Sequence, residues 1–413
     1  MRGKTTQYVR VVPRGEAMLT LKARGVLIEG SINELREELY LTRRAIQHIV
    51  DALWELDKLP SINQVHQMFY KVLREQGFRA HQAKQIYKYA LSLVKSAKNN
   101  GGSRPVLRKL SARLDRYDAN VDIEKQIVII KLRNKKLNIR LLHYKDYTRK
   151  FIRRKWYEVI VSIDKQGRIW INIPFRWEYK PYSPKGILSL DINLRKIVIY
   201  DGRGVRRIDT RFIEALSLKI HAERLQKKYP RMWRYNKRIL NRIKNLHRRG
   251  KNIVIDWCCK FARYIVLKAK KTKSIIVLED LEKLWFNISR KFSTLANKLS
   301  RFAYHKLQRS IITKAVEYNV PILLVNPKDT STMCPRCEAK LSYTHRLAIC
   351  HRCGFIADRD KVGAMNIYLR ALRGMCPSLG SRANAPTMKD EARQSGRTAD
   401  ESMTLYTHLY TIT

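Results

Sequence analysis

The sequence predicts an α+β chain of several domains, and three observations carry that prediction. Apolar residues recur at helical spacing from about residue 32 to 98, then at every second residue from about 103. After Gly186, short apolar runs alternate with long basic stretches. Two Cys-x-x-Cys pairs, Cys334 with Cys337 and Cys350 with Cys353, interrupt that alternation near the C-terminus.

Residues 8–12 read as an N-terminal strand that joins the later β segment. The first helix is marked by Leu35, Leu39, Ile46, Val50 and Leu53, the second by Val65, Phe69 and Val72, and the third by Ile86, Ala90 and Leu93. Ser61 and Gln64 form a capping-box pair for the second helix, which Pro60 and Gly77 punctuate. Asn99-Asn100-Gly101-Gly102 breaks the pattern. Strands follow around Ile127 and Ile129, Leu137 to Leu141, Val159 to Ile163 and Ile169 to Ile173, with Asp164-Lys165-Gln166-Gly167 as a hairpin turn. This period-two stretch reads as a small β-barrel or sheet in which Trp170 and Trp177 are filling.

Beyond Gly186, residues 187–190 form a short apolar strand ending in Asp191, and residues 196–200 pair back onto it. Helices are expected over 212–229, 233–249, 252–269 and 299–318, strands over 274–278 and 320–325, and a last helix over 361–371. The expected boundaries are 1–30 for the N-terminal strand region, 31–102 helical and 103–184 β. They continue with 185–329 and 355–372 for two parts of an α/β domain, 330–354 for a cysteine-rich insertion, and 373–413 for a loose tail.

Lys and Arg number 85 against 35 Asp and Glu, for a formal net charge of +50 over 413 residues. So large an excess needs a polyanion, and nucleic acid is the expected partner. The most apolar stretch, 253–267, is interrupted by Asp256, Lys260 and Arg263, which disfavours membrane insertion. The start Met1-Arg2-Gly3-Lys4 leads into no signal-peptide core, and with metal-spaced thiols this points to the cytoplasm.

Each cysteine pair can offer two thiolates from one tight turn, and Gly354 lets the chain bend after the second. Together the four fit a structural Zn²⁺ site, which as a closed tetrahedron has no position for a reacting water. Three acids stand out in a chain so poor in them: Asp191 and Glu279 at strand ends and Asp360 at a helix start. Converging carboxylates would repel unless Mg²⁺ or Mn²⁺ neutralised them, and such ions could serve phosphodiester hydrolysis. By spacing alone, a helix cap or a surface charge is the commoner role for each.

Four local motifs carry a resemblance. They are Leu188-Ser189-Leu190-Asp191-Ile192-Asn193, Val277-Leu278-Glu279-Asp280-Leu281, Asp329-Thr330-Ser331 ahead of Cys334-Pro335-Arg336-Cys337, and Asp358-Arg359-Asp360 with Ala364 and Asn366-Ile367. From about residue 185 to 372 the chain resembles the TnpB (OrfB) family of insertion-sequence proteins, RuvC-like nucleases related to type V CRISPR effectors. The resemblance implies an RNase H-like nuclease domain with an inserted zinc ribbon, a helical recognition lobe and a wedge-like β-barrel. It implies that Asp191, Glu279 and Asp360 are catalytic ligands of Mg²⁺ or Mn²⁺, with Asp358 a neighbour easily mistaken for Asp360. It also implies a guide RNA from the transposon end, a double-stranded DNA target beside a short motif, and RNA-guided cleavage. Where many relatives have Asn-Ala-Ala after the third acid, this chain has Val362-Gly363-Ala364. A non-catalytic transposon-encoded DNA binder or regulator and an unguided structure-selective resolvase are the alternatives. A monomer is the favoured state.

Lys237, Arg238, Arg242, Lys244, Arg248 and Arg249 punctuate a helix whose Ile239, Ile243 and Leu246 would face inward, so these six are the expected phosphate contacts. In Arg231-Met232-Trp233-Arg234-Tyr235 the aromatics could stack on unpaired bases, although Trp233 fits a core as well.

Overall fold

A computed structural model describes residues 9–12, 17–142, 145–280 and 295–375. The chain divides into two compact units, Met18–Trp177 and the combination of Met1–Ala17 with Glu178–Thr413. The expected tail lies outside the described residues from 376 onward, as does Tyr8 of the N-terminal strand.

Strand β1 (Val9–Val12) does not join the β segment. It pairs antiparallel with a strand of the other unit's sheet, Val9 opposite Val325 and Val12 opposite Ile322. A four-residue apolar run carries no mark of which sheet edge it will close, so local pattern could not choose. The strand that does enter the β segment is β2 (Ala17–Glu29), with Ala17, Leu19, Leu21 and Ala23 buried and Met18, Thr20, Lys22 and Arg24 exposed.

Three helices follow, α1 (Ile32–Trp54), α2 (Ile62–Glu75) and α3 (Ala80–Asn99). The capping box at Ser61 and Gln64 is present, and an equivalent one at Ser31 and Glu34 starts α1. The three share a core that includes Ile46, Val50, Leu53, Val65, Phe69, Ile86 and Ala90. Leu73 and Val94 are buried where Val72 and Leu93 were expected; Val72 is exposed.

The rest of this unit is β3 (Leu110–Leu114), β4 (Ala119–Asp122), β5 (Ile127–Leu132), β6 (Lys135–Leu142), a single turn α4 (Lys145–Arg149), β7 (Val159–Ile163) and β8 (Ile169–Trp177). The seven-stranded sheet runs β3-β7-β8-β2-β6-β5-β4. Its edge strands β3 and β4 are joined by residues 115–118 alone, so the sheet must curl to bring its edges near each other. Trp177 is buried against Phe151, while Trp170 is half-buried and donates its indole N–H to Asp164 at 3.0 Å.

The second unit is built on a six-stranded mixed sheet of order β1-β13-β12-β9-β10-β11. Strands β9 (Gly186–Ile192), β10 (Lys196–Tyr200) and β11 (Val205–Asp209) form an antiparallel meander. Helices α5 (Phe212–Lys228), α6 (Met232–Tyr235) and α7 (Lys237–Lys271) lead to β12 (Ser274–Glu279), which lies parallel to β9. Helix α8 (Leu295–Tyr318) leads to β13 (Ile322–Val325), parallel to β12.

Where two helices were expected over 233–249 and 252–269, there is one of 35 residues. Gly250 does not end it. A Cβ there would lie 3.1 Å from the Ala215 carbonyl oxygen of α5, so this glycine allows close helix contact. That packing offsets the roughly 1 kcal/mol that glycine costs inside a helix.

A three-stranded sheet of β14 (Ser342–Thr344), β15 (Leu347–Ile349) and β16 (Ile356–Asp358) follows, and β16 runs directly into α9 (Arg359–Met375). The six-stranded sheet is covered on both faces. Leu188, Leu190, Ile276, Leu278, Ile322 and Leu324 pack in one core with residues of α5, α7 and α8. Ile187, Ile275, Val277, Leu323 and Val325 pack against Ile367 and Ala371 of α9.

Candidate active site and metal centre

Side chains along a strand alternate between faces, so parity decides where each strand-end acid goes. Ile187, Ser189 and Asp191 share a face of β9, and Ile275, Val277 and Glu279 share one on β12. It is the face that α9 covers. In the β9–β12 ladder Ile275 lies beside Ile187 and Val277 beside Ser189, so the same register carried on sets Glu279 beside Asp191. Ser189 ties α9 down there, its hydroxyl donating to the Ala364 carbonyl at 2.7 Å. Asp360 stands in the first turn of that helix. Asp191 thus stands within electrostatic reach of both Glu279 and Asp360.

Asp191 and Glu279 are half-buried and Asp360 is buried. Burial, then the neighbouring Glu279 and Asp360 carboxylates, push the Asp191 carboxyl up to about 7, although Asn193 donates an amide hydrogen bond to its Oδ2 at 3.0 Å. Burial likewise raises Glu279, against a hydrogen bond from Thr330 and the attraction of Arg370. Asp360 is engaged by the Arg346 guanidinium, and the Lys196 ammonium lies 3.7 Å from its Oδ2. The carboxylates therefore repel one another and draw cations, and hard oxygen donors so grouped suit a divalent ion. Gly363 adds to the fit: a Cβ there would lie 2.7 Å from the Asp191 Oδ2, in the space beside that carboxylate.

Asp358 is differently placed. Its Oδ1 accepts the Asp360 N–H at 2.9 Å, so it acts as a cap at the start of α9. Of the motif residues around the acids, Asn193 donates to Asp191 and the Thr330 hydroxyl to Glu279, while the Asn366 amide donates to the Thr330 and Met333 carbonyls. Lys196, Arg346 and Arg370 had no sequence signal beyond their charge. Leu281 of the second motif lies outside the described residues.

The four cysteine sulfurs lie within 4.8 Å of one another. Cys334 and Cys353 Sγ are 3.6 Å apart and Cys337 and Cys350 Sγ 3.4 Å, far beyond a disulfide bond. Tetrahedral zinc with bonds of about 2.3 Å places its sulfurs about 3.8 Å apart, so this cluster could hold one. The two turns match: the Glu338 N–H bonds the Cys334 carbonyl and the Gly354 N–H the Cys350 carbonyl, both at 3.0 Å. Glu338 and Gly354 each take positive φ, +59° and +66°. Burial works against ionisation of Cys350, yet N–H groups of Cys353 and Arg352 and the Cys337 thiol bring it down to about 6, towards the thiolate that a metal binds.

On α7, Lys237, Arg238, Arg242, Lys244, Arg248 and Arg249 are all exposed, while Ile243 and Leu246 are buried against Ala222 of α5. Trp233 and Ile239 pack partly into the same cluster. Tyr235 is 85% exposed, so of the two aromatics it alone presents a free ring.

The sheet and the four-cysteine insertion define a mixed α/β protein. The model of the Cas12f1-like TNB domain matches residues 304–367, from α8 through the cysteine insertion into α9. A TnpB-like protein of Methanocaldococcus jannaschii is 30% identical over 259 residues, covering 60% of this chain and 91% of its own length. A second TnpB-like protein of that organism is 25% identical over 84% of each chain. The chain belongs to the TnpB family and is related to type V effectors: a Cas12f1 endodeoxyribonuclease of Syntrophomonas palmitatica is 26% identical over 47% of this chain and 41% of that one. The fold is also similar to Cas12f1 in a complex with guide RNA and target DNA, at a TM-score of 0.53 and 13% identity over 86% of this chain and 99% of that one. A mini RNA-guided endonuclease, Cas-phi3, matches with the same TM-score at 11% identity, covering 90% and 94%. Among the described residues no helix is long and apolar enough to cross a membrane.

Proposed function

We propose that this protein is a transposon-encoded, RNA-guided DNA endonuclease that hydrolyses phosphodiester bonds beside a short target-adjacent motif. The observation that supports the reading is that strand parity and ladder register set Asp191 and Glu279 on the sheet face under α9, where Asp191 feels the charges of both Glu279 and Asp360. The antiparallel meander followed by two parallel strands supports an RNase H-like, RuvC-type domain. The curled seven-stranded sheet and the three helices suit the wedge and recognition roles.

In this reading Asp191, Glu279 and Asp360 hold Mg²⁺ or Mn²⁺, and the cysteines hold a structural Zn²⁺. The divalent ion, when bound, polarises the scissile phosphate and lowers the pKa of its water. The chain's own part is to align the carboxylates. Asn193 orients Asp191, while Lys196 and Arg346 offset the charge of Asp360. The six basic residues of α7 track the nucleic-acid backbone. Purifying the protein with its bound nucleic acid and sequencing it tests the guide: a discrete RNA carrying the element's end is expected, and random cellular RNA contradicts guidance.

Cys350→Ser should release about one zinc per chain and destabilise the cysteine-rich insertion, since structural zinc binding adds directly to folding. Elemental analysis reads the loss. Neutralising Arg238, Arg242 and Arg249 together should weaken binding to all sequences alike. If all three meet phosphates, the slope of log affinity against log salt drops by about two to three. An unchanged slope means this face of α7 meets no phosphate.

A further inference from the structure

We infer that Thr330 is a positioning residue whose hydroxyl orients the Glu279 carboxylate, held in place by Asn366 from the helix that carries Asp360. The inference rests on the proposed reading of Glu279 as a metal-holding carboxylate.

The backbone of Glu279 is well fixed. It pairs with Val325, its carbonyl accepts the Gln308 amide at 3.1 Å, and the next N–H, of Asp280, bonds the Val325 carbonyl at 2.7 Å. A strand end does not fix a glutamate side chain, which has three rotatable bonds. Thr330 supplies that constraint. Its Oγ1 lies 2.6 Å from Glu279 Oε1 and 3.0 Å from the Pro327 carbonyl, and its single proton favours the shorter, charge-assisted bond to the carboxylate.

Thr330 is itself buried and anchored. The Asn366 amide, also buried, donates both its hydrogens, to the Thr330 carbonyl at 2.7 Å and to the Met333 carbonyl at 2.8 Å. Met333 immediately precedes Cys334. One polar chain, Glu279 to Thr330 to Asn366, therefore joins β12, the lead into the cysteine turns, and α9. A ligand carboxylate held from behind in this way is pre-aimed, and supports of this type commonly alter metal affinity 10–100-fold.

Mn²⁺ binding, followed by electron paramagnetic resonance on the purified full-length protein, tests this with zinc content measured in parallel. Thr330→Val should weaken Mn²⁺ binding about tenfold, the scale set by such supports. Thr330→Ser, which keeps the hydroxyl, should stay within about twofold of wild type. Zinc content should be unchanged in both. Wild-type affinity in Thr330→Val while Glu279→Gln loses Mn²⁺ overturns the inference and leaves the role of Glu279 standing. Equal weakening by Ser and Val also overturns it, because the methyl group and not the hydroxyl would then be the cause. If Glu279→Gln binds Mn²⁺ as wild type does, the reading of Glu279 fails and the inference falls with it. Should Thr330→Val not fold, Thr330→Ala removes the hydroxyl without setting a methyl against the Pro327 carbonyl.

Discussion

Asp360→Ala is expected to abolish DNA cleavage, by at least about 10³-fold, while RNA and target-DNA binding persist. A metal-assisted step draws several kcal/mol from charge stabilisation, and each 1.36 kcal/mol is tenfold in rate. Asp191→Ala and Glu279→Ala should do the same, because each removes one of the three proposed carboxylate ligands. The binding surfaces proposed for nucleic acid lie on the exposed basic face of α7, so metal-free affinity should change little. Asp358→Ala is the internal control. It removes a helix cap, with a cost of about 1 kcal/mol in stability, and leaves the three ligands in place. Loss of cleavage by Asp358→Ala with full cutting by Asp360→Ala would reverse the two assignments.

The second large effect is on stability, and its sign is opposite to that on activity. Burial and the neighbouring Glu279 and Asp360 carboxylates push Asp191 up to about 7 in the folded protein, against about 3.9 for a free aspartate. Between those values the folded state holds a proton that the unfolded state has released. The metal-free protein therefore loses stability as pH rises from about 4 to 7, and the loss is complete above 7. Asp191→Asn carries no charge to bury and none to repel Glu279 and Asp360. At pH 8 without divalent ions it should melt about 1–2 °C above wild type, given about 1–2 kcal/mol of relieved burial cost and repulsion. Below pH 4 the difference should vanish. Adding Mg²⁺ at pH 8 should raise the wild type more than Asp191→Asn, since the ion binds the ionised carboxylate that the amide replaces. A metal-free Asp191→Asn protein that melts below wild type at pH 8 would show that these carboxylates do not repel.

The acidic site was more legible in the sequence than its parts suggest. Leu188 and Leu190 against Ile187, Ser189 and Asp191, and Ile276 and Leu278 against Ile275, Val277 and Glu279, already contain the parity that puts both strand-end acids on one face. Whether the two strands lie side by side was not settled by spacing. It depends on pairing across some 90 residues of chain between β9 and β12, which local spacing does not encode. The cysteine pairs needed no such information, because each turn is built from consecutive residues.

The misreadings have a common cause. Ile127-Val128-Ile129-Ile130 is apolar throughout, so either alternate set could face inward; Val128, Ile130 and Leu132 are the buried ones, and Ile127 and Ile129 are half-buried. Gly250 reads as a helix end until the Ala215 carbonyl is seen beside it. Val9–Val12 has strand composition without a partner written into it. In each case the deciding contact comes from residues distant in the chain. Thr330 and Asn366 illustrate the same limit, since two uncharged polar residues 36 apart acquire a shared role only when α9 lies against the lead into the cysteine turns.

Guided cleavage is the central claim, and a plasmid assay with the copurified RNA tests it most directly. Supercoiled DNA carrying a sequence matched to that RNA, beside a randomised flanking stretch, is incubated with the wild-type complex and Mg²⁺. Cutting should be confined to plasmids with the match and should enrich a short flanking motif. It should disappear with chelation or with Asp360→Ala. Equal cutting of matched and unmatched plasmids, or persistent cutting by Asp360→Ala, would contradict the account.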